Sequence, residues 1–271
     1  MTSQPPRGSK FPLRLDKVGA TPKIARAVLR PQRLVAHAHT DAVRRDAPLG
    51  LGMDSDDVRK RMAQRLRGIG VVNESVLTAM GSVPRHRFVD TALVTQAYED
   101  TSLPIGHGQT ISKPSVVARM IELLFHGANA RRNGHLGRVL EVGTGCGYQA
   151  AVLAALAQQV VSIERLKPLH DKARELLAQM RPSHLRLVYG DGMLGHPPNA
   201  PYDSIIAAAG GDAVPPAWLE QLAVGGRLVS PVRRAGTQQQ VLVVVDRTEQ
   251  GCEQSVFEVV NFVPLRSGLG A

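Results

Sequence analysis

The stretch that decides the fold reads VLEVGTGCGY and covers residues 139–148. It starts as a short apolar run, as buried strands do, and it ends with three glycines at alternate positions, Gly143, Gly145 and Gly147. Glycine allows the backbone to turn sharply and to approach a ligand closely, and a following helix presents its N-terminal amides to that ligand. We therefore predict a nucleotide-binding turn between a strand and a helix.

The chain around this stretch alternates between apolar runs and amphipathic segments with short connections. We predict strands at 138–142, 160–163, 185–189, 203–209 and 227–232, helices at 149–157, 169–180 and 216–222, and an antiparallel pair at 240–246 and 256–263. Such alternation is typical of a parallel sheet with helices on both faces. Residues 136–271 are predicted to form a Rossmann-like, doubly wound α/β core with C-terminal antiparallel strands.

Residues 55–135 are predicted to form a helical preface to that core. A first helix would start after Ser55, which can cap it, and bury one face. The residues on that face are Val58, Met62, Leu66 and Ile69. A second short helix is predicted at 73–80 and a third starts at Pro114, while the glycine-flanked segment 104–112 is predicted to be a loop.

The first part of the chain differs from the rest in composition. Residues 1–50 carry ten lysines and arginines against three aspartates, which gives +7 of the formal net charge of +10, and they contain six prolines. Few apolar residues recur with a period, so residues 1–54 are predicted to be a disordered basic extension. An organellar transit peptide is the alternative. Because the remainder is nearly balanced in charge, a nucleic-acid partner is not favoured.

The overall composition is that of an ordinary globular protein. Of the 271 residues 43% are hydrophobic and 21% are charged. No apolar run reaches the roughly 18 residues that a membrane span needs. Two cysteines, Cys146 and Cys252, are too few for a disulfide framework or a zinc site. We therefore expect a cytoplasmic protein with no metal and no membrane partner.

The spacing of the glycines indicates which nucleotide cofactor the turn accepts. A dinucleotide fingerprint has glycines at its first, third and sixth positions. Here Gly143, Gly145 and Gly147 occupy the first, third and fifth positions, and Tyr148 occupies the sixth. Twenty-one residues after Gly143, Glu164 ends a predicted strand, where its carboxylate can accept hydrogen bonds from both ribose hydroxyls of an adenosine.

Two further segments complete the predicted cofactor site. Asp191 and Gly192 follow the third strand, where they would approach an adenine ring. Glu141 would hold the methionine amino group, or else cap the following helix. Together with the glycine turn, which includes Thr144, this ordered series predicts S-adenosyl-L-methionine as the cofactor. The class of protein that it predicts is a methyltransferase.

Several segments carry a pattern that is more specific than the glycine turn. The most specific one is residues 97–112, which end in GQTIS at 108–112. The other segments are 83–90, 140–149, 202–206, 222–231 and 262–265. These segments resemble the protein-L-isoaspartate O-methyltransferase family, over about residues 55–267. The resemblance implies a class I methyltransferase fold.

The resemblance also implies a repair activity. In that family the methyl group of S-adenosylmethionine is transferred to the free α-carboxylate of L-isoaspartyl residues in damaged proteins and peptides. Ser112 matches the active-site serine, whose hydroxyl would hydrogen-bond the substrate carboxylate. Thr110 and Ile111 would form a wall of the cofactor site, and Val214 and Pro215 would lie on the substrate side. The alternative for Ser112 is structural, a cap on the following helix.

The chain departs from the family pattern in three places. Residues 233–236 read RRAG where the family usually continues with glycine, which predicts a different peptide groove. Gly210 and Gly211 replace a proline- and alanine-rich stretch, which predicts a looser loop over the substrate. The basic extension at residues 1–50 matches nothing in the pattern.

Two other functions remain open from the sequence. A nucleic-acid or small-molecule S-adenosylmethionine-dependent methyltransferase would use the same cofactor site. Amino-group nucleic-acid enzymes usually carry an Asn/Asp-Pro-Pro-aromatic motif to grip the extruded base, whereas residues 207–210 read AAAG here. A binding protein that has kept the fold and lost the activity is the second, and the intact glycine turn, Glu164 and Ser112 argue against it.

Overall fold

The structure is a computed structural model that describes residues 56–180 and 182–270. The predicted extension over residues 1–54 and the predicted cap Ser55 lie outside the described residues. Among the described residues, no helix has the length and apolar character that a bilayer span requires.

The preface consists of four helices and a hairpin. Its helices are α1 (Asp56–Gly68), α2 (Glu74–Ser82), α3 (Pro114–Phe125) and α4 (Ala128–Asn133). Short 3-10 turns cover Arg85–Phe88 and Thr91–Gln96. The predicted loop is instead an antiparallel hairpin of β1 (Leu103–Gly106) and β2 (Gln109–Ile111).

Two details of the preface differ from the sequence prediction. Met62 and Leu66 are buried as expected, but Ile69 is 64% exposed because α1 ends at Gly68 and the helical spacing ends with it. Helix α4 was not predicted, since six residues that include two arginines give no apolar stripe to detect.

The core is one sheet of seven strands with three helices. The strands are β3 (Arg138–Val142), β4 (Gln159–Glu164), β5 (Leu185–Tyr189), β6 (Tyr202–Ala207), β7 (Leu222–Arg233), β8 (Gln240–Thr248) and β9 (Gly251–Val260). The helices are α5 (Tyr148–Ala154), α6 (Lys167–Ala178) and α7 (Pro216–Gln221).

The strand order creates a crevice beside the central strand. The order is β5-β4-β3-β6-β7-β8-β9. The first five strands of this order are parallel to one another, and β8 and β9 pair in antiparallel fashion. After β3 the chain forms β4 on one side of it, and it later returns to form β6, which pairs with β3 on the other side. Ligands of open α/β sheets bind at such a reversal, beyond the carboxyl ends of the strands. This arrangement confirms the predicted Rossmann-like core.

The hydrophobic core lies on both faces of this sheet. On β3, Val139 packs with the preface helices and α5, whereas Leu140 and Val142 face the other side. Trp218 on α7 belongs to that second cluster and is fully buried, so it is a packing residue of its helix. The alternation follows from the two-residue period of a strand.

Strand β7 starts earlier than predicted. Leu222 already pairs with Tyr202, and the register shifts before Ser204 pairs with Arg227. The glycines between them form an irregularity inside the strand rather than a turn before it. A Cβ at Gly226 would lie 2.8 Å from the carbonyl oxygen of Ala223, so a side chain does not fit there.

The segment after β9 returns to the centre of the sheet. Residue Gly210 pairs with Pro264: the Gly210 amide donates to the Val263 carbonyl at 2.8 Å, and the Leu265 amide donates to the Gly210 carbonyl at 2.9 Å. Gly211 pairs with Val232. The expectation that these glycines loosen a loop is therefore wrong, because both are held by backbone hydrogen bonds.

Candidate active site

The glycine turn after β3 has the conformation that its sequence predicts. Gly143, Gly145 and Gly147 have φ angles of +94°, +55° and +92°, a region that favours glycine. A Cβ at Gly147 would lie 2.9 Å from Cδ1 of Leu177. The Gly143 amide donates to the Ile163 carbonyl at 2.9 Å, which holds the turn against the end of β4.

Glu164 connects the turn to the next strand. Its Oε2 accepts a hydrogen bond from the Gly145 amide at 2.8 Å, and its Oε1 accepts one from the Leu166 amide at 2.9 Å. Only 5% of the residue is exposed, and it lines the cavity above the turn. A carboxylate oxygen can accept a second hydrogen bond, so both oxygens remain available to hydroxyl donors.

Glu141 lies beneath the turn rather than in the cavity wall. It is fully buried, and Ser162 donates a hydrogen bond to its Oε2. The Ser162 hydroxyl also lies 2.6 Å from the Thr144 hydroxyl, and Thr144 lines the cavity. Burial raises the pKa of Glu141 to about 8, although the Ser162 hydrogen bond opposes the shift. The contact of Glu141 with a cofactor stays a prediction.

Asp191 and Gly192 have separate roles in the structure. Gly192 lines the cavity, and a Cβ there would lie 2.4 Å from Cγ1 of Val142. Its carbonyl accepts a hydrogen bond from Trp218 Nε1 at 2.8 Å. The Asp191 carboxylate accepts hydrogen bonds from the amides of Met193 at 2.9 Å and Gly268 at 2.6 Å. It therefore holds the C-terminal segment beside the site.

The hairpin closes the cavity from the other side. Thr110, Ile111 and Ser112 all line it. A Cβ at Gly145 would lie 3.2 Å from Cδ1 of Ile105, which shows how closely the hairpin packs on the glycine turn. The cavity has a volume of about 350 Å³.

A second cavity of about 370 Å³ adjoins the first. Its walls come from the hairpin, the start of α3, the end of β9 and the residues that follow β9. Four residues line both cavities: Thr110, Ser112, Ala208 and Val263. Ser112 therefore lies where the two cavities meet, which is the place that a group-transfer reaction between two ligands requires.

The Ser112 hydroxyl does not cap α3. The N-cap position is Lys113, without a side-chain hydrogen bond, and the amide of Ser115 is bound instead by Asp100 Oδ1 at 2.8 Å. Within the described part of the chain, the Ser112 hydroxyl makes no hydrogen bond. It is free to bind a ligand.

The structure does not bring two of the predicted substrate residues to this place. Val214 packs against the second core cluster, and Pro215 precedes α7. Neither lines either cavity. Their contact with a substrate stays a prediction.

Some residues of the site were not predicted from the sequence. Val263 to Arg266 line the cofactor cavity because the chain returns from β9, which no local pattern signals. Gln149 also lines it, and its Nε2 is buried without a hydrogen-bond partner among the described residues. Burial raises the pKa of the Cys146 thiol to about 11, so Cys146 stays neutral and fills space in the turn.

A seven-stranded sheet of this order, with a glycine turn after its central strand and an acidic residue at the end of the next, defines the class I methyltransferase fold. The sequence profile of the family "Protein-L-isoaspartate(D-aspartate) O-methyltransferase (PCMT)" matches residues 57–270. The chain belongs to this family.

Curated relatives agree with this membership. A protein-L-isoaspartate O-methyltransferase of Methylibium petroleiphilum is 60% identical over 261 residues, which cover 96% of both chains. One of Burkholderia lata is 55% identical over 225 residues, covering 82% of this chain and 71% of the relative. The Methylibium alignment reaches well into residues 1–50, so the expectation that this segment has no counterpart in the family is wrong.

Two solved structures have the same fold. One is a protein-L-isoaspartate O-methyltransferase with a TM-score of 0.69 and 27% identity. The match covers 78% of this chain and 67% of the chain in that structure. A Plasmodium falciparum protein in complex with S-adenosyl-L-homocysteine has a TM-score of 0.66 and 23% identity, covering 77% of this chain and 98% of its own. The second likeness concerns the fold alone.

Proposed function

We propose that this protein is a repair enzyme that transfers the methyl group of S-adenosyl-L-methionine to the free α-carboxylate of L-isoaspartyl residues in damaged proteins and peptides. The observation that carries the proposal is the position of Ser112, whose unbonded hydroxyl lies where a cofactor-sized cavity meets a second cavity. Membership of the family supplies the substrate class.

The first cavity fits the cofactor. Glu164 offers two carboxylate oxygens to the ribose hydroxyls, and Gly192 leaves room for the adenine, since a side chain there would collide with Val142. Gln149 lines this cavity and its side chain interacts with the buried Glu141, so it connects the cavity wall to the carboxylate beneath the turn. When bound, the cofactor supplies an electrophilic methyl group on a sulfonium. Thr110 and Ile111 shield this group from water.

The second cavity fits an anionic substrate. The residues that line it bring hydroxyl groups, an amide and one cation, Lys113, and no carboxylate. Ser112 would donate its hydroxyl hydrogen to the isoaspartyl carboxylate and aim one carboxylate oxygen at the first cavity. Lys113 is exposed at the rim and carries no ion pair to any described residue. Its charge is available to the substrate.

The reaction needs orientation rather than a strong base. A carboxylate has a reference pKa near 4, so the substrate already has its nucleophilic charge at neutral pH. The residues of this chain have to hold oxygen, methyl carbon and sulfur in line and to exclude water, which can lower a barrier by several kcal/mol. The methoxy group of the ester leaves far more easily than an oxygen of the ionised carboxylate, so the neighbouring amide nitrogen can attack the ester carbonyl and release methanol. The succinimide that forms hydrolyses partly to normal aspartate.

The basic extension is proposed to be accessory to this chemistry. Among the described residues, those that line the cavities fall within 102–266, in the preface and the core. Isoaspartyl proteins and peptides are the proposed partners. No specific observation in the site favours a nucleic acid, although the extension leaves a separate partner open.

The test is a methyl-transfer assay with labelled S-adenosylmethionine and matched acceptors. The acceptors are an isoaspartyl peptide, the same peptide with normal aspartate, and an RNA. We expect label in the isoaspartyl peptide alone, as a base-labile ester that releases methanol. Label in RNA alone, or equal label in both peptides, would overturn the proposal.

A further inference from the structure

Arg85 is a buried cation to which the reaction described above gives no role. It begins the 3-10 turn Arg85–Phe88 and is 0% exposed. No carboxylate of the described residues forms an ion pair with it; Asp100, which interacts with it electrostatically, is exposed and is hydrogen-bonded to Ser115. Buried arginines usually have such a partner, because an unpaired buried charge is costly.

The Arg85 side chain is committed to the backbone of the site. Its Nε donates to the Ala97 carbonyl at 2.7 Å, and its Nη2 donates to the Ser112 carbonyl at 2.7 Å. Its central carbon Cζ lies 4.7 Å from the ring centroid of Tyr148, the first residue of α5. Arg85 therefore joins the residue between the two cavities to the helix that follows the glycine turn.

These contacts need the shape of a guanidinium. A planar fork can donate to two carbonyls and stack on an aromatic ring at the same time, whereas a lysine ammonium is a point charge that cannot do all three. Hydrogen bonds from a charged donor are also stronger than neutral ones. The guanidinium consequently fixes the backbone carbonyl of Ser112, while the Ser112 hydroxyl stays free to bind a ligand.

The charge of Arg85 also acts on what binds above Ser112. Its Nη1 is buried and makes no geometric hydrogen bond within the described residues, and although Tyr148 stabilises the guanidinium, no described carboxylate forms an ion pair with it. Charges act more strongly on each other in the protein interior than in water. An anion beside Ser112 would be attracted, and a neutral ligand would not.

We propose that Arg85 is the positioning residue of the methyl transfer, which fixes the Ser112 backbone and places positive charge beneath the substrate carboxylate. This inference rests on the proposed function. It predicts an effect on the peptide substrate that is separate from cofactor binding, although Arg85 also touches Tyr148.

The test compares Arg85→Lys, Arg85→Gln and Arg85→Met with the full-length protein. We expect kcat/KM for the isoaspartyl peptide to fall about tenfold in Arg85→Lys, which keeps the charge, and about 100-fold in the two neutral variants, as for the loss of charged hydrogen bonds. The Kd of S-adenosylhomocysteine, measured by calorimetry, stays within about threefold of the wild type.

A matched control removes a second carbonyl-binding arginine. Arg247 Nη1 donates to the carbonyls of Leu219, Glu220 and Leu222 at 2.8, 3.1 and 2.7 Å, and Arg247 lines neither cavity. Arg247→Met should lower Tm and leave the kcat/KM of the folded protein unchanged. This control separates a loss of stability from a loss of positioning.

A double-mutant cycle with Ser112→Ala decides whether Arg85 acts through Ser112. If it does, Arg85→Lys changes kcat/KM much less in the Ser112→Ala background than in the wild type. Additive effects, a wild-type rate in Arg85→Lys, or a parallel loss of S-adenosylhomocysteine binding would each overturn the inference. If Arg85→Met does not fold, Arg85→Lys still gives the answer. A wild-type protein without activity on the isoaspartyl peptide would instead overturn the proposed function.

Discussion

The two cavities that meet at Ser112 are built in different ways. The cofactor side rests on β3, β4 and the turn between β3 and α5, with a buried carboxylate, Glu164, that binds two backbone amides. The substrate side combines the hairpin, α3 and the end of β9, and its one charged residue is Lys113. The cofactor side is centred on a turn between consecutive core elements and a buried carboxylate, whereas the substrate side is assembled from distant segments and carries a single cation.

This difference matches the ligands that the two sides are proposed to bind. A cofactor that is the same in every turnover suits a rigid backbone cradle, whereas damaged proteins share only the isoaspartyl group. The substrate side accordingly offers hydroxyl groups and positive charge rather than a shaped pocket for side chains. Substitutions on one side should therefore leave ligand binding on the other side intact.

The largest effect is expected from filling the cofactor cradle. In Gly192→Ala the new Cβ would lie 2.4 Å from Cγ1 of the buried Val142, which cannot move aside without shifting β3. We expect the Kd of S-adenosylhomocysteine to rise about 100-fold, measured by calorimetry. The control is Gly68→Ala, where nothing lies within 4 Å of the added Cβ. Equal affinities of the two variants would contradict the adenine position.

A smaller effect is expected from Ser112→Ala. Loss of a hydrogen bond to a carboxylate should lower kcat/KM for the isoaspartyl peptide about 30-fold, with the Kd of S-adenosylhomocysteine unchanged. Ser115→Ala serves as the control, because its hydroxyl binds Asp100 at the start of α3. That variant should lose stability and keep its activity. A fully active Ser112→Ala protein would remove Ser112 from the catalytic site.

Glu164→Gln tests the ribose contact on the cofactor side. Gln keeps an oxygen for one backbone amide and presents an NH₂ group to the other, so both the turn and the ribose hydroxyls lose an acceptor. We expect the KM for S-adenosylmethionine to rise about tenfold and the peptide KM to stay the same at saturating cofactor. A change in the peptide KM alone would refute the division between the two sides.

The pH dependence of stability tests the buried carboxylate beneath the turn. Burial raises the pKa of Glu141 from 4.5, its value in an unfolded chain, to about 8 in the folded protein. Between these pH values the folded state binds one proton more than the unfolded state, so the protein loses stability as the pH rises through this range. Glu141→Gln lacks this loss. Its Tm should match the wild type near pH 4 and exceed it by a few degrees at pH 9. A pH-independent difference in Tm would argue against a neutral Glu141.

The smallest effect is expected from Lys113→Met on the substrate side. An exposed charge contributes little and is screened by salt. The measured quantity is the ratio of kcat/KM for an isoaspartyl peptide with acidic neighbours to kcat/KM for one with basic neighbours. We expect this ratio to fall about threefold in the variant, and only at low ionic strength. Lys172→Met on α6, a residue that lines neither cavity, should leave that ratio unchanged. A change that persists in high salt would point to a loss of packing instead.

The sequence alone was informative where the signal is local. It predicted the glycine turn, Glu164 at the end of β4 and the strand over Leu185–Tyr189, because each depends on a few consecutive residues and on a regular period. It was wrong about Ile69 and about the start of β7, where helix length and a strand irregularity are set by packing. Helix α4 is too short to show a period.

The glycine turn was therefore determined by the sequence itself, since these backbone angles favour glycine and the spacing of glycines is visible without a fold. The tertiary structure alone decided what stands around Ser112. Arg85 and Val263 are far from Ser112 in the chain and become neighbours of the site only when the preface packs on the core and the segment after β9 returns to Gly210. Long-range contacts of this kind leave no period or motif in the sequence, because any residue that fits the space and charge can make them.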